Sequence, residues 1–194
     1  MKKNAKRTVV VIALIALLAI PGLFAYFTDT DSVDNVFTVG NVEIDLVESG
    51  DGTEIKEDGV LTGMKWENVA PGKEVQKAPV VKNTGRNDAY VFLEVLDNEY
   101  LEYTYDSTKW TKLGDDYPGV YYYGVNELAT VAALNGETDA LFSKVVVGAI
   151  EEQTAASELH LKINAYAIQT TDLGEDVSKE TPVAVWGKVK PVTP

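Results

Sequence analysis

Cysteine is absent from this chain of 194 residues, and histidine occurs once, at position 160. Without cysteine no disulfide can brace the fold, so stability has to come from an apolar core, from bound ions or from assembly. A lone histidine falls short of the histidine-rich, three-ligand set that a catalytic zinc ion normally takes, and no H-E-x-x-H stretch exists. A Gly-rich phosphate loop is missing, and no serine or threonine sits in a readable nucleophile motif. Positive charge is scarce: 17 Lys and Arg stand against 30 Asp and Glu, a net charge of −13. Such a chain repels nucleic acid and anionic lipid head groups and attracts divalent cations. Nucleic-acid binding is therefore set aside.

What is present begins with a leader. Lys2, Lys3, Lys6 and Arg7 precede the unbroken apolar run Val9 to Ile20, and Pro21 and Gly22 break it shortly before Ala25. Charged start, short apolar centre and small residue make an export signal, expected to occupy residues 1–25 and to be cut between Ala25 and Tyr26. The run is 12 residues long, whereas crossing a bilayer as a helix takes about 20. An uncleaved anchor reaching from Val9 to Phe27 is the alternative, and either way the bulk of the chain lies outside the membrane. Loss of the leader removes four basic residues and no acid, moving the charge from −13 to −17.

Beyond the leader, short β-rich runs alternate with Gly, Asn, Asp and Pro clusters, and no long stretch has a 3.6-residue apolar period. Val42, Ile44 and Leu46 alternate with polar neighbours, a half-buried strand. Acidic residues from Glu48 to Asp58 predict a solvated loop, with Val60 to Trp66 as the next strand. Pro71-Gly72 and the run from Asn83 to Asp88 predict turns on either side of a strand from Lys73 to Lys82. From Ala89 to Asp97 both faces are apolar, as in a central strand. Further strands are expected over Val120 to Val125, Leu141 to Gly148, Glu158 to Thr170 and Val183 to Val189. Asn126 to Leu134 reads as a short helix or an irregular edge, and Glu151 to Ser157 as a short helix. The expected fold is all-β, a jelly-roll-like antiparallel β-sandwich with one or two short helices behind a signal helix. It divides into an extended segment over 26–40 and one sandwich domain over 41–194.

Candidate chemistry is thin. His160 falls on the face of its strand opposite Leu159, Leu161 and Ile163, and reads as a solvated strand residue. Asp29, Asp31 and Asp34 are closely spaced oxygen donors of the kind calcium takes, as are Asp115 and Asp116. Neither set has the Gly and Glu positions of an EF-hand loop, and a solvated acidic segment is preferred, with no metal or other cofactor expected. Tyr121, Tyr122 and Tyr123, with Tyr103 and Tyr105, form a possible carbohydrate or partner surface. Tyrosines are also good strand residues that pair across a sheet, and that structural reading is preferred.

Several motifs occur in a familiar order. AYFTDTDSVDNVFTVGNVEIDL holds Tyr26, Phe27, Thr28 and Asp29, then Phe37 and Gly40. APGKEVQKAPVVKNTGRNDAYVFLEV holds Pro71, Gly72, Asn83, Thr84 and Gly85. VYYYGVNELA, GETDALFSKVVV and INAYAIQT follow, with Gly136, Glu137, Thr138, Leu141, Phe142 and Gln169. Together they resemble the TasA and camelysin family of matrix and surface proteins exported through the signal peptidase SipW. The acidic stretch 48–58 and the tyrosine-rich stretch around 100–105 depart from that pattern, and the tail KPVTP is no sortase signal.

The resemblance implies a protein secreted to the extracellular matrix or cell surface. Its expected partners are further copies of itself in biofilm fibres, with a minor matrix or nucleating protein and the export peptidase as further contacts. It also implies that the mature N-terminal segment of one subunit completes the sheet of the next. An added strand satisfies the unpaired groups of a sheet edge, and head-to-tail donation gives an open filament. Val33, Phe37 and Val39 on one side, and Val36 with Thr38 on the other, are the candidate anchors. A monomeric surface-binding or adhesion domain is the alternative. A camelysin-type metallopeptidase is disfavoured by the single histidine, so no catalytic residue is expected.

Overall fold

The computed structural model describes residues 36–57, 60–66, 70–96, 100–148, 161–171 and 180–190. The chain passes through β1 (Val36–Val39), β2 (Ile44–Gly50), β3 (Thr53–Glu57), β4 (Val60–Lys65), β5 (Glu74–Asn83), β6 (Ala89–Leu96) and β7 (Leu101–Tyr103). It continues through β8 (Trp110–Lys112), β9 (Val120–Tyr123), β10 (Thr130–Val131), β11 (Gly136–Glu137), β12 (Lys144–Val147), β13 (Lys162–Gln169) and the helix α1 (Pro182–Val189).

Two sheets face each other, giving an all-β sandwich. The first runs β1-β13-β6-β9-β8, with β10 also beside β6. Its centre is the antiparallel pair β6 and β13, in register from Ala89↔Gln169 to Leu96↔Lys162. In the second sheet β5 is central, with β2 along one edge and β12, then β7, on the other. Residues 136–147 follow that other edge of β5 as an interrupted strand, through bonds from Thr138 N–H to the Val81 carbonyl and from Leu141 N–H to the Pro79 carbonyl. Pro79 has no N–H to offer in return, which is a physical reason for the gap between β11 and β12. β3 and β4 form a separate antiparallel pair with a register shift at Ile55/Lys56.

Period-two alternation decides what is buried. Val91, Leu93 and Val95 of β6 and Ile163, Ala165 and Ala167 of β13 face the second sheet. There they meet Ile44, Val75, Val81, Val145, Leu141 and Phe142 in the main core. The intervening Tyr90, Phe92, Tyr166 and Ile168 face the other way and would be open to water. α1 covers them with Val185, Trp186 and Val189. An eight-residue helix is too short to persist alone; burial of these three side chains, at about 1.5–3 kcal/mol for each aliphatic and more for the indole, holds it in place.

The strand expected over Val183 to Val189 is therefore a helix. Its apolar residues fit either period, and the deciding signals lie at its start. Thr181 caps it by accepting a hydrogen bond from Ala184 N–H, and Pro182 occupies the first turn. A second correction concerns the acidic stretch 48–58, expected as a solvated loop. β2 extends through Glu48 to Gly50 and β3 begins at Thr53, with a bend at Asp51 and Gly52. Glu48 points inward to an ion pair with Lys77, itself only 2% exposed, and the Lys77 ammonium lies 5.8 Å from the Trp66 ring centre. Burial pushes the Lys77 ammonium below its ordinary value, and Glu48 opposes that fall. Asp51 accepts hydrogen bonds from the Trp66 indole N–H at 2.9 Å and from Gln76 N–H at 2.8 Å, closing the bend. The 126–134 stretch is an irregular edge carrying β10, with Asn126 and Leu134 at positive φ, and not a helix. The signal helix over 1–25 and the helix expected over 151–157 lie outside the described residues. Among those described, no helix is long and apolar enough to cross a membrane.

Candidate functional site

β1 is the edge strand of the first sheet, and it runs parallel to β13 in the register Val36↔Ala165, Phe37↔Tyr166, Thr38↔Ala167, Val39↔Ile168. Among the described residues no strand pairs with its outer edge. Its side chains divide as the sequence alternation expects: Val36 packs against the main core, and Val39 against the cluster under α1. Phe37 stacks on Tyr166 with ring centres 4.7 Å apart and planes at 16°, yet remains 44% exposed. Immediately after β1 the chain pivots at Gly40, whose φ of 87° lies in the left-handed region that glycine tolerates. Asn41 is pinned just past the pivot, its N–H donating to Gln169 Oε1 at 2.9 Å and its carbonyl accepting from Asn87 Nδ2 at 2.9 Å.

The seat under Phe37 is a polar network as well as a ring. The Tyr166 hydroxyl donates to Glu94 Oε2 at 2.7 Å, Asn164 Nδ2 donates to the same oxygen at 3.1 Å, and Lys190, just after α1, donates to Oε1 at 2.6 Å. Burial alone would raise the Glu94 carboxyl, but the bonds from Lys190, Tyr166 and Asn164 outweigh it and leave it below its ordinary value. Burial, then the Glu94 carboxylate, pushes the Tyr166 phenol upward, so it stays a neutral donor. Trp186 of α1 meets Tyr166 edge to face at 4.9 Å. One carboxylate thus links β6, β13 and the end of α1 beneath β1.

The motif residues away from β1 serve the scaffold. Asn83, fully buried, donates to the Asn87 and Val131 carbonyls and accepts from Gly85 N–H, which fixes the turn after β5. A Cβ at Gly85 would stand 2.7 Å from Glu43 N, and one at Gly136 2.3 Å from the Ala132 carbonyl oxygen, so both glycines permit a close backbone approach. Thr138 Oγ1 accepts from Val81 N–H at 3.0 Å, and Leu141 and Phe142 are core residues. Gly72 N–H, in the turn with Pro71, donates to the Val147 carbonyl.

Of the other sequence candidates, Ala25, Tyr26, Asp29, Asp31, Val33, Asp34 and His160 lie outside the described residues. Among the described residues no group of three or more His, Asp or Glu side chains is arranged to hold a metal. The tyrosine run splits as a strand must: Tyr121 faces the main core and Tyr122 the cluster under α1. Tyr123 packs on Trp110 and donates to Asp139 Oδ2 at 2.8 Å. Nothing in the sequence spacing singles out Glu94, Tyr166, Trp186 and Lys190 as a group. The Thr-Pro start of α1 was the available signal, because a helix at that point needs an apolar sheet face to cover. A scan of protein-family models, a search of curated proteins and a search of solved structures each returned no match.

Proposed function

We propose that this chain is a secreted structural subunit of an extracellular matrix that polymerises by lending its N-terminal segment, residues 26–39, to the next copy. The observation that carries this reading is the construction of β1. It is a four-residue parallel edge strand whose seat on β13, Tyr166 and α1 belongs wholly to other parts of the chain. The seat therefore accepts the same four residues from a neighbour with the same hydrogen bonds and the same ring contact. Gly40 gives the chain a place to swing, and Asn41 holds the rest of the domain still. Donation of this sort is heterologous, and where the rotation between copies does not close a ring it propagates into a fibre. The ordered motifs, which resemble those of TasA-like matrix proteins, and the export-type leader support the extracellular setting, and no catalytic step is assigned to the chain.

Negative-stain electron microscopy of residues 26–194, beside the same protein lacking residues 26–39, tests the proposal. Filaments are expected from the first and none from the second. Filaments of unchanged appearance from the shortened chain would refute donation by this segment.

A further inference from the structure

We propose that Asn164 sets the register of the lent strand, its buried side-chain oxygen accepting a hydrogen bond from the Asn35 carboxamide of the neighbouring copy. This pairing presupposes the exchange of residues 26–39 and adds a device that tells the right alignment from a slipped one. β13 pairs with β6 along its whole length, Lys162 to Gln169, whereas β1 covers only Ala165 to Ile168 of its other edge. Asn164 is the residue just beyond that cover.

Asn164 is only 9% exposed, and period two puts it on the face of β13 that carries Tyr166 and Ile168. Its Nδ2 donates to Glu94 Oε2 at 3.1 Å, so the amide cannot be turned over without setting its oxygen against a carboxylate. Glu94 is its register partner on β6. With the nitrogen held there, the oxygen is directed away from β6, toward the side on which β1 runs. That oxygen is buried and has no hydrogen-bond partner, the one such side-chain atom among the described residues. The donors around it are committed: the Tyr166 hydroxyl gives its single proton to Glu94 Oε2, and Lys190 bonds Oε1. A buried acceptor without a donor bears the cost of its lost water with nothing in return.

The register of β1 identifies the missing donor. Val36 is level with Ala165, so one step back sets position 35 level with Asn164. Position 35 shares the face of Phe37 and Val39, which is also the face of Asn164 and Tyr166. The residue there is asparagine, outside the described residues. Two carboxamides level with each other on neighbouring strands join N–H to O, as in the amide ladders of stacked strands. One step further back, Asp34 would meet the buried Ile163 on the core face, so the pairing ends at Asn35. Apolar contact alone fixes so short a strand poorly, because a slip by two residues keeps every side chain on its own face. Such a slip sets Phe37 beside Asn164 and seals the amide oxygen under a ring with no donor. A single buried asparagine fixes register in the same way in coiled coils, at some cost in stability.

The test uses residues 26–194, the form that the proposed function has assemble. A chain carrying Thr38→Cys is mixed with one carrying Ala167→Cys, which reports the observed register, and separately with one carrying Ala165→Cys, which reports the strand slipped by two. Disulfide yields are compared after oxidation. The Ala167 product is expected to dominate, and Asn35→Leu in the first chain to lower the ratio of the two products about tenfold. Asn35→Gln, which keeps the carboxamide, should lower it less. Asn164→Leu in the second chain should lower it by a similar factor, and both changes together by no more than either alone, since the same bond is lost each time. Asn35 belongs to the lent segment and not to the domain that receives it, so Asn35→Leu decides the matter even where Asn164→Leu destabilises the sandwich. An unchanged ratio with Asn35→Leu, or losses that add, would overturn the pairing, while a dominant Ala167 product leaves the exchange itself standing. No disulfide between the two chains at either position, with filaments absent, would overturn the exchange and the pairing with it.

Discussion

The two edges of the first sheet are both short strands, and they are held in opposite ways. β8 has three residues, but Trp110 is wholly buried between the sheets and its indole N–H donates to the Asp139 carbonyl at 3.0 Å. Thr111 Oγ1 donates to the Gly124 carbonyl at 2.8 Å, and Lys109 pairs with Asp139. β1 has four residues and keeps its largest side chain nearly half exposed. Strand length thus says little about attachment, because anchoring follows the apolar area buried and the polar bonds closed. An edge like β8 is locked into the fold, while β1 is the edge that the proposed function has exchange between copies.

The largest effect that would sharpen this contrast is at Trp110. Trp110→Ala leaves a cavity between the sheets and an unpaired carbonyl, and should cost about 3–5 kcal/mol in chemical denaturation. Trp186→Ala comes next, at about 3 kcal/mol, since it uncovers Phe92 and Tyr166 but opens to solvent; it should also loosen the seat of β1, seen as faster amide exchange over Val36–Val39. Glu94→Gln should cost about 1–3 kcal/mol by weakening bonds to a charged acceptor, with the Lys190 part at the low end because that side chain is 46% exposed. The folded Glu94 carboxyl lies below its ordinary value of 4.5. Its contribution is therefore complete above that value and is lost as pH falls through the lower, folded one. Denaturation midpoints of wild type and Glu94→Gln should converge in acid. Phe37→Asp should have the smallest effect on monomer stability, about 1 kcal/mol or less, since the ring is so exposed, and raise the protein concentration needed for filaments under the microscope. A Phe37→Asp monomer destabilised as much as Trp110→Ala would erase the contrast.

The sequence made the class and the centre of the fold legible. β6, apolar on both faces, is the strand with the main core on one side and α1 on the other, and the turns at Pro71-Gly72 and Asn83–Asp88 stand where their residue types place them. α1 reads as a strand in sequence because Val183, Val185 and Val189 suit one, and only Thr181-Pro182 marks a helix start. Glu48 reads as solvated in sequence because an acidic run hides one inward position; its partner Lys77 is 29 residues away and joined to it only by the β2–β5 register. At the candidate site the alternation of Val36 to Val39 was legible. The Glu94, Tyr166 and Lys190 network was not, because three elements distant in sequence supply it.

The most direct test of exchange uses the cysteine-free background. Thr38 and Ala167 are register partners across β1 and β13, so one chain carrying Thr38→Cys is mixed with another carrying Ala167→Cys, each spanning residues 26–194, and oxidised after assembly. The account predicts an interchain disulfide that joins one chain of each kind. Filaments that form in the mixture without that disulfide, while a chain carrying both cysteines closes it internally, would contradict it.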